Sequence, residues 1–130
     1  MITVLAILLA AAAGFASGAV WYGVHGARWM AATGRSEADI RADRSPLPFV
    51  IGAVAALLAS AVLWHLWAAG GVTGFSGALT GGLGLGALLV APWIVLNHAF
   101  AGRPRELWWI DGGYATLACT AIGAVHGLFL

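Results

Sequence analysis

The alternation of apolar and polar positions divides the chain into four long apolar segments separated by shorter connections. A helix that crosses a membrane needs about 20 largely apolar residues, and each of the four segments reaches that length. The pattern therefore predicts an all-α membrane protein, a compact bundle of four transmembrane helices in one domain, 1–130. The expected helices cover residues of about 2–22, 47–69, 75–100 and 107–130.

Composition supports the same class. Of the 130 residues, 62% are hydrophobic and 8% are charged, and lysine is absent. A soluble domain carries roughly a quarter of charged residues, so this chain has too few to cover a water-soluble globule. The lipid bilayer is the expected partner, and the formal net charge of +1 gives no reason to expect nucleic acid. The single cysteine, Cys119, lies in an apolar run, where a buried, unreactive thiol is expected.

The charged side chains predict the orientation in the membrane. All six arginines and all five acids lie within 28–44 and 103–111, around the connections that follow the first and third helices. Arginine-bearing loops stay on the cytoplasmic side, so both termini are expected outside, in a multi-pass protein of the bacterial inner (plasma) membrane. The tryptophans agree with this arrangement, because each falls near an expected membrane boundary, where indole rings are favoured. They are Trp21, Trp29, Trp64, Trp67, Trp93, Trp108 and Trp109.

The expected cytoplasmic loop, about 28–46, is the only sizeable polar connection. Within it, Ser36 followed three residues later by Asp39 is the pattern of a helix capping box, which predicts a short surface helix. Pro48 suits the first turn of the helix that follows. The mixed charges of the loop indicate either a solvated face or a docking point in a larger membrane assembly.

Glycines concentrate in the third helix, where Gly77, Gly81 and Gly84 share one face. Small residues at this spacing let two helix backbones approach closely. The face therefore predicts either tight packing inside the four-helix bundle or the seam of a homo-oligomer. Farther along the same helix, Pro92 removes a backbone donor, so a kink is expected there.

The polar stretch that stands out at a membrane boundary is NHAFAGRPRELWWIDGGY, residues 97–114. An ionisable side chain at the centre of a bilayer costs roughly 2.5–3.5 kcal/mol, so the acid that lies about one turn inside the fourth helix needs polar partners. Such partners form either a clasp between the third and fourth helices or a cytoplasmic-facing site for a small polar solute or protons. The candidate ligand-binding residues are Asn97, His98, Arg103, Asp111 and Tyr114.

The same stretch resembles the C-terminal signature of the four-helix membrane family called domain of unknown function 1761. The likeness rests on Asn97-His98, on Gly102-Arg103-Pro104 and on Ile110-Asp111-Gly112-Gly113-Tyr114. Trp21-Tyr22 and Thr33-Gly34 are similar to its N-terminal signature, so the resemblance spans the chain. It implies the four-helix fold and no activity. Asp111 stands where the family usually has asparagine, and Ala115 stands where it often has histidine, so a site that depends on that histidine would be absent.

Other chemistry has less support. His65 and His126 fall at a similar depth near the outer boundary and are the one pair suited to ligating a haem iron. Yet the run 64–67, Trp-His-Leu-Trp, is typical of an interfacial belt, and that side of the chain carries no carboxylate to orient a ligating histidine. No metal site, cofactor or catalytic set is expected, since Asp111 is the only acid predicted at membrane depth.

Three functional hypotheses remain. The first is a small integral membrane protein with a non-enzymatic structural or accessory role. The second is a small transporter or channel subunit that uses the polar cluster at the cytoplasmic ends of the third and fourth helices. The third, which has the least support, is a redox protein that binds haem through His65 and His126.

Overall fold

The computed structural model describes the whole chain, residues 1–130, and every regular element in it is a helix. The α-helices are α1 (Ile2–Thr33), α2 (Glu37–Ala42), α3 (Leu47–Gly70), α4 (Gly74–Leu85), α5 (Ala91–Phe100) and α6 (Arg105–His126). A π-helical turn, Gly86–Val90, continues α4 into α5. The segment Gly74–Phe100 is therefore one uninterrupted rod, called the α4–α5 rod below.

Three of the helical segments are long and apolar enough to cross a membrane: Ile2–Thr33, Leu47–Gly70 and Gly74–Phe100. Their outward faces carry many large apolar side chains, among them Val24 at 72% exposure and Leu88 at 81%. Such an extensive apolar surface is unfavourable in water and favourable against lipid. The chain is therefore an all-helical membrane protein.

The remaining long helix, α6, is the centre of the packing. It contacts α1, α3, α4 and α5, and it holds eight of the 19 buried residues. It is also the least apolar of the long helices, and it is not among the three segments that qualify as spans by length and apolarity. The most polar long helix is thus the one that its neighbours separate best from the surroundings.

The helices α4 and α6 run antiparallel and touch through their backbones. A Cβ atom added at Gly82 would overlap with the carbonyl oxygen of Cys119, and one added at Gly123 would overlap with the carbonyl oxygen of Ala78. Residues without a side chain let two helices approach this closely. Gly82 and Gly123 therefore form a seam inside the chain, and α6 lies directly against α4.

The glycine face predicted in the third helix has mixed surroundings. A Cβ atom at Gly77 would lie 3.1 Å from Val72 Cγ1, and one at Gly81 would lie 2.7 Å from Trp67 Cη2. Both positions therefore pack within the chain. A Cβ atom at Gly84 would have nothing within 4 Å. A homo-oligomer seam through this face stays a prediction.

The first helix is longer than the sequence pattern indicates. It continues through Thr33, whereas the sequence pattern predicts an end near Tyr22. Residues 23–33 contain no proline, so nothing in them breaks the helix. The end comes where Gly34 adopts φ 69°, a left-handed conformation that favours glycine, and donates its backbone N–H to the Met30 carbonyl oxygen.

The short helix α2 confirms the predicted capping box. The Asp39 backbone N–H donates to Ser36 Oγ over 3.1 Å, and the Ser36 backbone N–H donates to Asp39 Oδ2 over 2.8 Å. Arg35 also pairs with Asp43, with 3.1 Å between its Nη2 and the Asp43 Oδ2. These contacts give α2 a defined fold, and Ile40 projects from it into the groove described below.

The interruption expected at Pro92 takes the form of the π-helical turn that precedes it. The Ala91 backbone N–H donates to the carbonyl oxygen of Gly86, five residues earlier, where an α-helix would use a residue four earlier. Pro92 has no N–H to donate, so the regular ladder cannot continue at this point. The wider turn carries the rod past the proline without ending it.

Candidate functional site

Asp111 joins three helices through its two carboxyl oxygens. The Tyr22 hydroxyl of α1 donates to Asp111 Oδ1 over 2.7 Å. The His98 Nε2 of α5 lies 2.8 Å from Asp111 Oδ2. The side chains of His98 and Asp111 are 22% and 20% exposed, so this contact is mostly but not completely buried. Asp111 itself lies in the second turn of α6, where the sequence predicts it.

The second half of α1 packs against α6 through two consecutive aromatic residues. Beside Tyr22, Trp21 donates its Nε1–H to the carbonyl oxygen of Ile110 over 2.8 Å. The Trp21 ring lies against Gly113, where an added Cβ would be 2.9 Å from Trp21 Cη2. A side chain at 113 would displace this ring. The glycine therefore permits the approach that brings the Tyr22 hydroxyl within reach of Asp111.

Asp111 also forms part of the wall of a groove. The groove has a volume of about 820 Å³ and lies between α1, α2, the start of α3 and α6. Nine of its 14 lining residues are hydrophobic, and Asp111 is the one charged side chain among them. The aromatic members of the lining are Phe15, Tyr22, Trp29, Phe49 and Tyr114. The groove is therefore a mostly apolar space with one charged side chain, that of Asp111, in its wall.

The polar cluster predicted from the sequence is only partly assembled around Asp111. His98 makes the expected contact. Tyr114 makes no hydrogen bond to Asp111 and instead packs against Tyr22, with 5.3 Å between ring centroids, on the groove wall. The side chains of Asn97 and Arg103 are exposed and form no hydrogen bond or ion pair with Asp111.

Tyr22 is the member of the site that sequence reasoning missed. It lies 89 residues from Asp111, outside the hairpin whose short loop predicts the other partners of the acid. A signal was present, because Tyr22 falls at the expected cytoplasmic end of the first helix, at the depth where Asp111 was placed in the fourth.

A second polar contact lies at the other end of α6, beside the middle of α3. His126 and Ser60 are both 0% exposed, with 3.0 Å between His126 Nε2 and Ser60 Oγ. The Ser60 hydroxyl donates its single hydrogen to the Ile7 carbonyl oxygen over 2.8 Å, so the His126 ring is the donor in their contact. His126 Nδ1 is left without a partner.

The two histidines considered for haem lie in different environments. His65 is exposed on α3, whereas His126 is fully buried, contacts Ser60 and meets the ring of Trp64 edge-on, with 5.2 Å between centroids. No three of the His, Cys, Asp and Glu side chains converge at a spacing that could hold a metal ion. Asp111 with His98 is the one acid–histidine pair in contact.

A smaller cavity of about 180 Å³ adjoins the groove between α3 and α6. Gly52 and Tyr114 line both spaces. The lining of the smaller cavity is almost entirely small or apolar and reaches Ala59 and Ile122, one turn before His126. An apolar tail that entered the groove could therefore extend toward the middle of the long helices.

Comparison with known proteins gives one match. The family model described as Protein of unknown function (DUF1761) matches residues 5–127. Neither a curated protein nor a solved structure matches the chain. The match extends over nearly all of the sequence, and its description states no activity. A functional assignment must therefore come from the groove and the contacts of its residues.

Proposed function

The chain belongs to the DUF1761 family, whose description gives no activity, and we propose that it is a non-enzymatic membrane protein that binds a small amphipathic molecule. The observation that carries this proposal is that the Asp111 carboxyl group forms part of the wall of an apolar groove of about 820 Å³. Binding sites for small molecules usually enclose about 300–1,000 Å³ and combine apolar walls with a few polar groups. The groove has both properties.

The proposal includes four membrane-spanning helices, with α6 as the fourth. Support comes from the depths at which α6 meets its neighbours. Tyr22 of α1 contacts Asp111 near one end of α6, and Ser60 of α3 contacts His126 at the other end. The end of α6 also lies beside the start of the α4–α5 rod, because a Cβ atom added at Gly127 would be 2.6 Å from the Phe75 Cα. An α6 that reaches from Tyr22 to the start of the rod supports a fourth span.

The orientation in the proposal follows from arginine. The connections between α1 and α3 and between α5 and α6 contain four of the six arginines. Arg28 lies near the end of α1 and Arg105 opens α6, so all six are on one side, which should be cytoplasmic in a bacterial inner membrane. Both termini then face outward. The groove, which is bordered by α2 and contains Asp111, opens at the cytoplasmic boundary.

A structural or accessory role is the second candidate, and the contacts of Asp111 favour it. The Tyr22–Asp111–His98 contacts connect α1, α5 and α6, as a clasp would. In this role the groove would stay without a specific ligand. The protein would then act through self-association, for which Gly77, Gly81 and Gly84 are the proposed face, or as part of a larger membrane assembly.

Two variants of α1 separate these candidates. Gly26 lines the groove and Gly23 does not, and an added Cβ atom would have nothing within 4 Å at either position. The Gly26→Leu variant should therefore fill the groove without disturbing the packing. The Gly23→Leu variant adds the same side chain outside the groove.

The measurement is a native mass spectrum of each protein released from mild detergent, which reports bound small molecules and oligomer size together. We expect wild type and Gly23→Leu to carry the same bound molecule, and Gly26→Leu to lack it. A molecule retained by Gly26→Leu would contradict binding in the groove. Three ligand-free proteins in a defined oligomer would favour the accessory role.

A further inference from the structure

The groove at Asp111 carries charge of one sign. None of the six arginines lines it. Arg28 lies over the ring of Trp109 instead, with 5.8 Å from its guanidinium carbon to the ring centroid, and Arg35 pairs with Asp43. A ligand with a phosphate or carboxylate group would find no cation in the groove and would meet the carboxyl group of Asp111. The electrostatics thus disfavour anions.

The carboxyl group of Asp111 has acceptor capacity left for a ligand. One donor, the Tyr22 hydroxyl, reaches Oδ1, and one ring nitrogen, that of His98, reaches Oδ2. A carboxylate offers about four acceptor sites, so each oxygen can take a further contact. Because the Asp111 side chain is 20% exposed and lines the groove, that capacity is within reach of a bound molecule.

Aromatic rings surround the same space. Tyr22 meets Trp29 edge-on, with 6.4 Å between ring centroids, and lies 5.3 Å from the ring centroid of Tyr114. All three rings line the groove. Electron-rich ring faces attract organic cations, and tryptophan does so most strongly. Aromatic walls beside a single carboxylate suit an organic cation whose charged centre carries apolar groups.

We propose that the groove binds a lipophilic organic cation, with the Asp111 carboxylate as its counter-ion and with Trp29 and Tyr22 against its charged centre. This inference rests on the proposed function and adds the chemical class of the ligand. The apolar lining contacts the body of the cation. The adjoining cavity beyond Gly52 and Tyr114 accepts an alkyl or aryl extension.

The experiment uses two ions of the same shape and opposite charge, the tetraphenylphosphonium cation and the tetraphenylborate anion. Binding of each to the full-length protein in mild detergent is measured by calorimetry, with protein-free micelles as the blank. We expect the cation to bind to wild type and the anion to bind about tenfold more weakly or not at all. Asp111→Asn should weaken cation binding about tenfold, which corresponds to loss of a charged contact.

Trp29→Leu supplies a second variant that leaves Asp111 unchanged. We expect it to weaken cation binding about three- to tenfold, because a cation–π contact is lost. Gly26→Leu should abolish binding and Gly23→Leu should retain it. The helical content of each variant, measured by circular dichroism, checks that it is folded. If Asp111→Asn does not fold, Trp29→Leu and the pair of ions still decide the matter.

Equal binding of the two ions, or cation binding that neither Asp111→Asn nor Trp29→Leu weakens, would overturn the inference about ligand class. The proposed function would survive that result as long as Gly26→Leu still abolished binding. Binding that is unaffected by Gly26→Leu would overturn both, because the ligand would then lie outside the groove.

Discussion

Tyr22 contributes a ring and a hydroxyl group to different parts of the site. Its ring packs against Tyr114 and Trp29 on the groove wall. Its hydroxyl donates to Asp111 and so connects the first long helix to α6. Replacing the hydroxyl alone separates these contributions, because phenylalanine keeps the ring.

We expect Tyr22→Phe to lower the free energy of unfolding by about 1–2 kcal/mol, since the partly buried carboxyl group of Asp111 loses a hydrogen-bond donor. Tyr114→Phe is the matched control, because the Tyr114 hydroxyl makes no hydrogen bond in the structure. Its effect should stay within about 0.5 kcal/mol. Denaturant unfolding in mild detergent measures both. Equal losses for the two variants would show that the hydrogen bond to Asp111 does not stabilise the fold.

At this scale the sequence identified part of the site. Asp111 and His98 could be predicted to meet, because a short loop joins their helices and places them at one depth. Asn97 and Arg103 are equally close in the chain, yet their side chains are exposed. Which of several neighbouring polar side chains turns inward depends on the rotation of α5 about its axis. The packing of the rod against α6 sets that rotation, so the residues next to Asn97 and His98 in the sequence do not reveal it.

Ser60 and His126 illustrate the same limit at the opposite end. Each looks unremarkable in the sequence, since a serine within an apolar helix commonly bonds to its own backbone. Here the Ser60 hydroxyl reaches Ile7 on another helix and also accepts from His126. The pair therefore connects three long helices, α1, α3 and α6, in a region with no exposure to the surroundings.

Among the helices, the contact between α4 and α6 depends on glycine. The Gly82→Ala variant would place a methyl group on the carbonyl oxygen of Cys119, so the two backbones would have to separate. We expect a loss of about 1–3 kcal/mol in the free energy of unfolding, as for other overpacked positions. Thermal unfolding in detergent measures the change.

The matched control for that variant is Gly84→Ala in the same helix. An added methyl group there would have nothing within 4 Å. Alanine is the better helix former by up to about 1 kcal/mol, so Gly84→Ala should leave stability unchanged or raise it. Opposite signs for the two variants are the expected result. A comparable loss at both positions would mean that helix propensity, rather than the seam with α6, governs this region.

The sequence indicated that some glycine face of the third helix packs closely, and it favoured the face of Gly77 and Gly81. The backbone seam lies on the neighbouring face, at Gly82. Several small residues in this helix recur at four-residue spacing, so spacing alone could not select among the faces. The face that packs is determined by Gly123 on α6, because the absence of a side chain there leaves room for the backbone of α4.

The cap of α2 makes its stability depend on pH. Hydrogen bonds from the Ser36 side chain and backbone lower the pKa of Asp39 below its ordinary value of 3.8. A depressed carboxyl pKa contributes stability that is fully present above the unfolded-state pKa and is lost as the pH falls through the folded-state pKa. We therefore expect α2 to keep its whole capping box at neutral pH. The half supplied by the Asp39 carboxylate should be lost progressively as the pH falls below 3.8 and through the lowered pKa of Asp39.

Backbone amide shifts of Ser36 and Asp39, followed by nuclear magnetic resonance during an acid titration, would report the loss of the cap. The Asp39→Ala variant lacks the titrating group, so its Ser36 amide should be uncapped at every pH, whereas the amide at position 39 keeps Ser36 Oγ as its acceptor. Amide shifts in wild type that do not change as Asp39 is protonated would contradict the assignment of the cap.

For the whole molecule, the number of spans decides on which side of the membrane the residues after α6 lie. Single cysteines at Ser45→Cys and Thr73→Cys lie in exposed connections, and a further cysteine can be appended after Leu130. The native Cys119 is buried and should not react. A membrane-impermeant maleimide applied to intact cells should label Thr73→Cys and the appended cysteine, whereas Ser45→Cys should require permeabilised cells.

The appended cysteine tests the fourth span directly. Labelling in intact cells places it on the same side as Thr73, as four spans require. Labelling only after permeabilisation would mean that α6 does not cross the bilayer. Labelling of Ser45→Cys in intact cells would reverse the proposed orientation whatever the number of spans.

Hydropathy alone identifies α1, α3 and the α4–α5 rod as membrane helices and leaves α6 ambiguous. An average over a helix cannot distinguish polar groups that face lipid from those that face protein. The buried positions of α6, such as Ile110, Cys119, Ile122 and His126, lie on more than one face of the helix, because α1, α3 and the α4–α5 rod all contact it. Its central position is therefore a property of the assembled molecule.

The central position of α6 also bears on how the protein is made. In the order of synthesis α6 follows the other three long segments, so they can already occupy the membrane when it emerges. The groups that meet its polar side chains, Tyr22, Ser60 and His98, all belong to those earlier segments. We therefore expect insertion of α6, the proposed fourth span, to depend on its contacts with the helices made before it.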